Sequence, residues 1–260
     1  MEEVKKKKVT ATVVMQTEIA DDIYELWIRT DLAGGASAGQ FIALYPHNQS
    51  TLLPRPISIC QVDSKKQMLR LVYRIAGKGT AEFAGYQAED TVDILGILGN
   101  GFPVEKAAGK RVMLLGGGIG IPPMVELARE LTGETIIIAG YRNNKLFLKE
   151  DLEKNGTLYI ATEDGSVGTR GNVLDAVREN DLEADLIMAC GPMPMLRAIK
   201  QYAKEKKISA YLSLEERMAC GVGACLGCVC KTKEVDAHSH VHNARICTDG
   251  PVFEAGEVEI

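Results

Sequence analysis

The run Arg111-Val112-Met113-Leu114-Leu115-Gly116-Gly117-Gly118-Ile119-Gly120 divides the chain into two rhythms. Four apolar residues in a row read as a strand buried on both faces, and the glycines end it in a tight turn. Pro122–Leu131 then reads as a helix. The same alternation continues downstream. Strands are expected at Thr135–Ala139, Thr157–Thr162 and Leu186–Ala189, and helices at Leu146–Lys154, Val173–Asn180 and Met193–Lys206. Met195, Leu196, Ile199 and Tyr202 mark the last helix with an apolar stripe at three- and four-residue spacing. Strand–helix alternation predicts a parallel sheet with helices on both faces. Such a sheet takes its ligands in the crevice beyond the carboxyl ends of its strands.

Upstream the pattern is β throughout. Val9–Ile19, Ile23–Thr30, Gln40–Tyr45, Pro56–Val62, Met68–Ile75 and Thr91–Leu95 are short β-rich runs separated by Gly, Pro, Asp and Asn clusters. That spacing predicts a sandwich or barrel, with a short helix near Thr80–Tyr86.

The chain has 260 residues, 46% hydrophobic and 25% charged, enough for one large domain or two ordinary ones with a small appendage. The formal charge of −5 argues against phosphate backbones or an anionic membrane surface as the main partner, so no nucleic acid and no membrane are expected. No apolar run approaches a membrane span. The charged N-terminus runs into Val9–Met15, which is too short and too threonine-rich for a signal-peptide core, so a cytoplasmic location is expected.

The seven cysteines are uneven. Cys60 and Cys190 stand alone, while Cys220, Cys225, Cys228, Cys230 and Cys247 crowd the last 41 residues. In a reducing compartment such a group reads as a metal site before it reads as disulfides. Cys220, Cys225 and Cys228 follow C-x4-C-x2-C, the spacing of plant-type [2Fe–2S] sites, and Cys247 follows after 18 residues. Gly221, Gly223 and Gly227 let the loop curl and bring amides to the sulfurs. Structural zinc is the alternative, but zinc more often shows two C-x2-C knuckles and this chain has one. Cys230 is read as a neighbour, with substitution for another ligand as the alternative. His238, His240 and His242 have a period of two, which fits one solvated face of a hairpin strand.

Two further groups carry chemistry. Arg55-Pro56-Ile57-Ser58, with Tyr73-Arg74 and Gly77-Lys78-Gly79-Thr80, offers a guanidinium, hydroxyls and turn amides to a phosphate and a flavin edge. A purely structural turn is the alternative. Gly116, Gly117, Gly118 and Gly120 depart from G-x-G-x-x-G because position 121 is Ile, yet they put close-approach glycines at a helix start. Helix–strand packing alone is the alternative there. Cys190-Gly191-Pro192 and Thr162–Ser166 end other strands at the same sheet edge, so one nucleotide crevice is expected.

Together these motifs resemble the ferredoxin–NADP reductase superfamily. The block from Met218 to Lys231, with Ile246-Cys247-Thr248-Asp249-Gly250-Pro251-Val252-Phe253, is similar to its branch serving dihydroorotate dehydrogenases of the B type. The resemblance covers essentially the whole chain. It implies a β-barrel flavin domain over 1–103, an α/β parallel-sheet nucleotide domain over 104–210 and a small [2Fe–2S] domain over 211–260. It implies FAD on Arg55, Pro56, Ile57, Ser58, Val72, Tyr73, Arg74, Gly79 and Thr80. It also implies NADH on the α/β lobe and a cluster on Cys220, Cys225, Cys228 and Cys247. The 18-residue gap before Cys247 is longer than the family pattern, and a longer hairpin holding the histidines accounts for it. Hydride would pass from NADH to flavin and single electrons onward to the cluster. With no acid/base pair for chemistry on orotate, the resemblance implies a separate FMN-containing dihydroorotate dehydrogenase catalytic subunit, in a heterotetramer of two plus two chains. Arg142 after the second α/β strand would suit a 2′-phosphate, whereas the resemblance favours NADH, and NADH is the expectation. A sister ferredoxin–NADP oxidoreductase or sulfide dehydrogenase subunit is the near alternative. Its first cluster ligand is often Asp, which Cys220 disfavours. A redox-sensing module without turnover is the distant one.

Overall fold

Residues that alternate between two apolar environments build the first half of the molecule. A computed structural model describes residues 6–48, 50–236 and 240–260. Strands β1 (Lys7–Ala20), β2 (Ile23–Arg29), β3 (Phe41–Tyr45), β4 (Arg55–Asp63) and β5 (Met68–Arg74) precede a short helix α1 (Lys78–Phe83) and strand β6 (Thr91–Leu98). The six strands close into a barrel in the order β1-β2-β5-β4-β3-β6, so a barrel and not a sandwich satisfies the strand edges. On β3, Ile42 and Leu44 point into the barrel while Phe41 and Ala43 point out. On β6, Ile94 points in, while Leu95 and Leu98 point out. β6 therefore runs three residues past the expected Leu95: its end is buried under later parts of the chain instead of ending in solvent.

The second half is a seven-stranded sheet. In chain order it contains β7 (Val112–Gly117), α2 (Pro122–Glu130), β8 (Thr135–Tyr141), α3 (Lys149–Glu153), β9 (Thr157–Thr162), β10 (Thr169–Arg170), α4 (Val173–Glu179), β11 (Leu186–Cys190), α5 (Met193–Lys206) and β12 (Ser209–Ser213). A hairpin follows, β13 (Val229–Lys231) with β14 (Asn243–Arg245), and then β15 (Val252–Glu254). The sheet order is β10-β9-β8-β7-β11-β12-β15, parallel except that β15 joins β12 antiparallel. On β7, Met113 and Leu115 share a cluster with α4 and α5, while Val112 and Leu114 share one with α2 and α3. Each such buried aliphatic side chain contributes roughly 1.5–3 kcal/mol relative to exposure.

Three local expectations shift. The predicted helix over Leu146–Lys154 is only Lys149–Glu153, because Leu148 adopts φ +58° and the preceding residues form a turn. Strands β8 and β11 extend to Tyr141 and Cys190, since parallel pairing with β9 and β7 continues that far. β12 and β15 add strands where no periodic signal was read.

Helix α2 fastens the two halves together. Glu126 Oε2 accepts the Val62 backbone N–H at 3.0 Å, and Glu130 Oε1 accepts that of Ala38 at 2.9 Å. Both groups caught in this way belong to the barrel half. β5 of the barrel packs against the Gly118–Gly120 turn of the sheet half.

Candidate functional site

The first group of residues collects on neighbouring barrel strands. Arg55–Ser58 lie on β4 and Val72–Arg74 on β5, and the pairing of Ile59 with Leu71 sets these runs side by side. The Gly77–Thr80 turn reaches the same place. A Cβ at Gly79 would stand 2.8 Å from Arg55 Nε and 3.1 Å from its Cζ, so the guanidinium rests on the bare glycine backbone. Arg55 Nη1 donates to the Leu53 carbonyl at 2.6 Å, which holds the side chain across that turn. The Thr80 hydroxyl is committed within the turn. It accepts from Ala76 N at 2.9 Å and Gly77 N at 3.2 Å and donates to the Gly77 carbonyl. Thr80 therefore shapes the loop, and the first-turn N–H groups of α1, which lack intrahelical acceptors, are what the loop offers an anion.

On β5 only Arg74 is exposed. Val72 packs with α2 and the Gly116–Gly120 region, and Tyr73 lies inside the barrel. The Tyr73 hydroxyl takes a hydrogen bond from Gln16 Nε2 at 2.7 Å, and its ring meets Phe83 edge-on. Burial pushes its phenol well above the ordinary range. At Val72 and Tyr73, then, the flavin face draws on backbone and packing, not on side chains.

The second group lies at the carboxyl ends of β7 and β11, which are adjacent and in register from Leu186–Val112 to Cys190–Gly116. A Cβ at Gly120 would strike the Cys190 carbonyl, so only glycine lets the turn cross that strand end. A Cβ at Gly117 would lie 2.5 Å from Met195 Sδ, and one at Gly191 would also strike Met195. Gly118, at φ +54°, has nothing within 4 Å of the Cβ position, so its face stands open. Pro192 precedes α5 as its N-cap residue. Burial first, eased by a hydrogen bond involving Ser213, leaves the Cys190 thiol up at about 12. Thr162–Ser166 lies beyond β8, at the end of β9, where Asp164 Oδ1 accepts from both N and Oγ of Ser166.

The third group is the cysteine loop. Amides point at its sulfurs: Val222 N lies 3.4 Å from Cys220 Sγ and Gly227 N lies 3.4 Å from Cys225 Sγ. Partial burial opposes ionisation of Cys220, yet hydrogen bonds from Val222, Cys225 and Ala224 outweigh it and bring the thiol to about 6. Burial pushes Cys247 up to about 12, with Cys228 at hydrogen-bonding range and Gly223 N–H on its sulfur. Cys220 is thus paired with Cys225, and Cys228 with Cys247, in an amide-lined setting suited to thiolates around a cluster. Among the described residues no three metal-ligating side chains already close on one point, so the fit rests on this donor chemistry. Cys230 sits on β13 opposite Ala244 and packs against the same apolar cluster as Cys228 and Cys247. Burial pushes its thiol up to about 11. His240 and His242 lie in the connection between β13 and β14 and not on a paired strand. His242 Nδ1 lies 2.9 Å from the Lys233 carbonyl, and His238 lies outside the described residues.

A local ion pair and a long-range contact hold this loop in place. Arg245 binds Asp249 with Nε at 2.9 Å and Nη2 at 3.0 Å, closing the turn that carries Cys247. Asn100, at the end of the barrel, donates Nδ2 to the carbonyls of Thr248 at 3.3 Å and Asp249 at 3.0 Å.

Residues 215–259 match the model of the iron–sulfur cluster binding domain of dihydroorotate dehydrogenase B. The chain is 45% identical over 253 residues to the dihydroorotate dehydrogenase B (NAD(+)) electron transfer subunit of Listeria monocytogenes serotype 4b, covering 95% of this chain and 97% of that one. It is 42% identical to the subunit of the same name from Geobacillus sp. strain WCH70, covering 97% and 98%. Among solved structures, an NADH-dependent reduced ferredoxin–NADP oxidoreductase superposes with TM-score 0.84 at 25% identity, covering all of this chain and 91% of that one. A cytochrome P450 reductase from Amycolatopsis shares the fold over 78% of this chain and 67% of its own, at TM-score 0.66 and 23% identity. Relatives of matching length at 42–45% identity span nearly the whole chain, and the chain belongs to the family of dihydroorotate dehydrogenase B electron-transfer subunits.

Proposed function

We propose that this chain is an oxidoreductase subunit that passes electrons between NADH and a dihydroorotate dehydrogenase catalytic subunit, in the orotate-forming step of pyrimidine biosynthesis. Bound FAD exchanges hydride with the nicotinamide, and a bound [2Fe–2S] cluster carries single electrons. The chain's own part is to bind, orient and insulate these groups. Arg55 and the amides of Lys78, Gly79 and Thr80 hold the FAD pyrophosphate, with Pro56, Ile57, Ser58, Val72, Tyr73 and Arg74 forming the surrounding wall. Gly116, Gly117, Gly118 and Gly120, with Cys190, Gly191 and Pro192, receive the dinucleotide. Cys220, Cys225, Cys228 and Cys247 ligate the cluster. The units proposed, 1–103, 104–210 and 211–260, interlock, since β12 runs across residue 210 and β15 returns to pair with it.

The observation that carries this reading is the seat of the cysteine loop: Gly221 lies on Leu95 and Leu98 of barrel strand β6, so the thiols that would hold a cluster are next to the barrel that would hold FAD. The catalytic partner is an FMN-containing subunit, in an assembly of two plus two chains. No helix among the described residues is long and apolar enough to cross a membrane, and the complex is placed in the cytoplasm.

Co-purification tests the reading. The polypeptide that comes down with this chain should carry FMN, and the mixture should reduce orotate with NADH when neither chain alone does. A partner without FMN and no orotate chemistry would overturn it. NADPH-linked ferredoxin reduction instead would favour the sister reading, whose structural relative is 25% identical against 42–45% for the dihydroorotate branch.

A further inference from the structure

Away from the three sites, a buried charge cluster joins the barrel to the α/β half. Arg70 on β5 is 8% exposed. Its Nη2 donates to Glu25 Oε2 on β2 at 2.6 Å, and its Nη1 to Gln61 Oε1 on β4 at 3.2 Å. Trp27 Nε1 donates to the other Glu25 oxygen at 2.7 Å, and the guanidinium lies over the Trp27 ring at 5.8 Å. All of these partners belong to the barrel. The same Nη1 also stands 3.1 Å from Asp151 Oδ2 on α3, across the junction.

Glu25 already neutralises Arg70. A second carboxylate is therefore not needed to balance the buried charge, and its direction is what distinguishes it. Asp151 belongs to the stretch that leaves β8 at Tyr141, on the rim of the dinucleotide crevice. Lys145, within that stretch, also pairs with Asp21 of the barrel. That pair is exposed and contributes little, whereas the Arg70–Asp151 ion pair is partly buried and therefore less screened by solvent. The α2 attachments at Val62 and Ala38 define a line between the halves. Asp151 on α3 adds an attachment from a second helix, alongside the packing of β5 on the Gly118–Gly120 turn.

We propose that Asp151 is a positioning residue: its pairing with Arg70 sets the angle at which the dinucleotide crevice meets the flavin face of the barrel. This rests on the hydride-exchange reading above. Hydride exchange is steeply sensitive to such placement, since a misplacement of about 1 Å can cost on the order of a hundredfold.

Asp151→Ala in the full chain tests it. FAD and iron contents should match the parent, and NADH affinity should be unchanged. The rate of FAD reduction at saturating NADH should fall about tenfold or more. The long-wavelength charge-transfer absorption of the reduced flavin with NAD+ should weaken. Small-angle scattering of the protein without NADH should report a broader spread of distances between the halves. Asp21→Ala, which removes only the exposed pair, should leave all these readouts at parental values. Asp151→Leu, which keeps roughly the side-chain size and removes both acceptors, replaces the alanine variant if that protein does not fold. A lower melting temperature with an unchanged limiting rate, charge-transfer band and scattering profile overturns the proposal, because Asp151 is then only structural. If the parent protein is itself not reduced by NADH, the functional reading fails instead, and the scattering comparison still decides the positioning role.

Discussion

The backbone of Gly221 rests on the side chain of Leu98. A Cβ at position 221 would come within 3.2 Å of Leu98 Cδ1, and Gly221 has φ +69°. Leu98 pairs with Phe41, and Phe41 pairs with Ser58. Two interstrand steps of about 4.8 Å each put roughly 10 Å of barrel wall between Ser58 and the strand that carries the cysteine loop. Cys220 adjoins Gly221, so the cysteine loop rests against the same barrel sheet in which Ser58 lies.

Gly221→Ala should weaken the cluster. A side chain at this positive φ costs roughly 1 kcal/mol, and the contact with Leu98 adds to that. Purified variant should hold less iron and lose it faster to a chelator, with FAD content unchanged. Parental iron retention would show that the loop does not depend on this seat.

Arg55→Ala should weaken FAD binding by roughly 1.5–3 kcal/mol, about 10- to 150-fold, through loss of a charge-assisted phosphate contact. Gly79→Ala should act in the same direction, because its Cβ would sit 2.8 Å from Arg55 Nε and displace the guanidinium. Fluorescence titration of the apoprotein with FAD measures both. Unchanged affinity in the two variants would reduce the cradle to a structural turn.

Cys225→Ser should lose the cluster while FAD is still reduced by NADH near the parental rate, because the residues proposed to hold FAD lie on β4, β5 and the Gly77–Thr80 turn and none belongs to that loop. Transfer to the partner's flavin should collapse. Cys230→Ser should keep iron and both steps, since that thiol lies outside the C-x4-C-x2-C…C pattern and sits on β13 paired opposite Ala244. Iron analysis and stopped-flow absorbance separate the outcomes; loss of the cluster from Cys230→Ser but not Cys228→Ser would change the ligand assignment.

Asn100→Ala removes two side-chain hydrogen bonds to the carbonyls of Thr248 and Asp249. At about 0.5–1.5 kcal/mol for each bond, the Cys247 turn should loosen by about 1–3 kcal/mol. Thermal bleaching of the cluster should begin at lower temperature than unfolding of the barrel, which keeps its own core.

The features legible in the chain before folding are local ones. The spacing of Cys220, Cys225 and Cys228, the glycine turn after Leu115 and the two-residue alternation along the barrel strands each act within a few residues. Backbone reach and side-chain direction are enough to read them. The helix Met193–Lys206 has the expected bounds because its apolar stripe repeats over several turns. The hairpin inferred from the long gap before Cys247 is present as β13 and β14, but the histidines described there fall in its connection, since the alternation was too short to set a register.

Contacts between residues far apart in the chain left no such mark. Asn100 meets Thr248 across 148 residues, Arg70 meets Asp151 across the junction of the two halves, and Gly221 lies on Leu98. β15 is three residues long and becomes a strand by pairing with β12. Thr80 was expected to present its hydroxyl outward, and folding turned it into the loop. Each of these depends on which surfaces meet once the apolar faces of barrel, sheet and C-terminal segment are buried together. Burial is non-directional and proportional to area, so it drives the assembly without prescribing partners. The partners follow from the shape and unpaired polar groups that those faces present to one another.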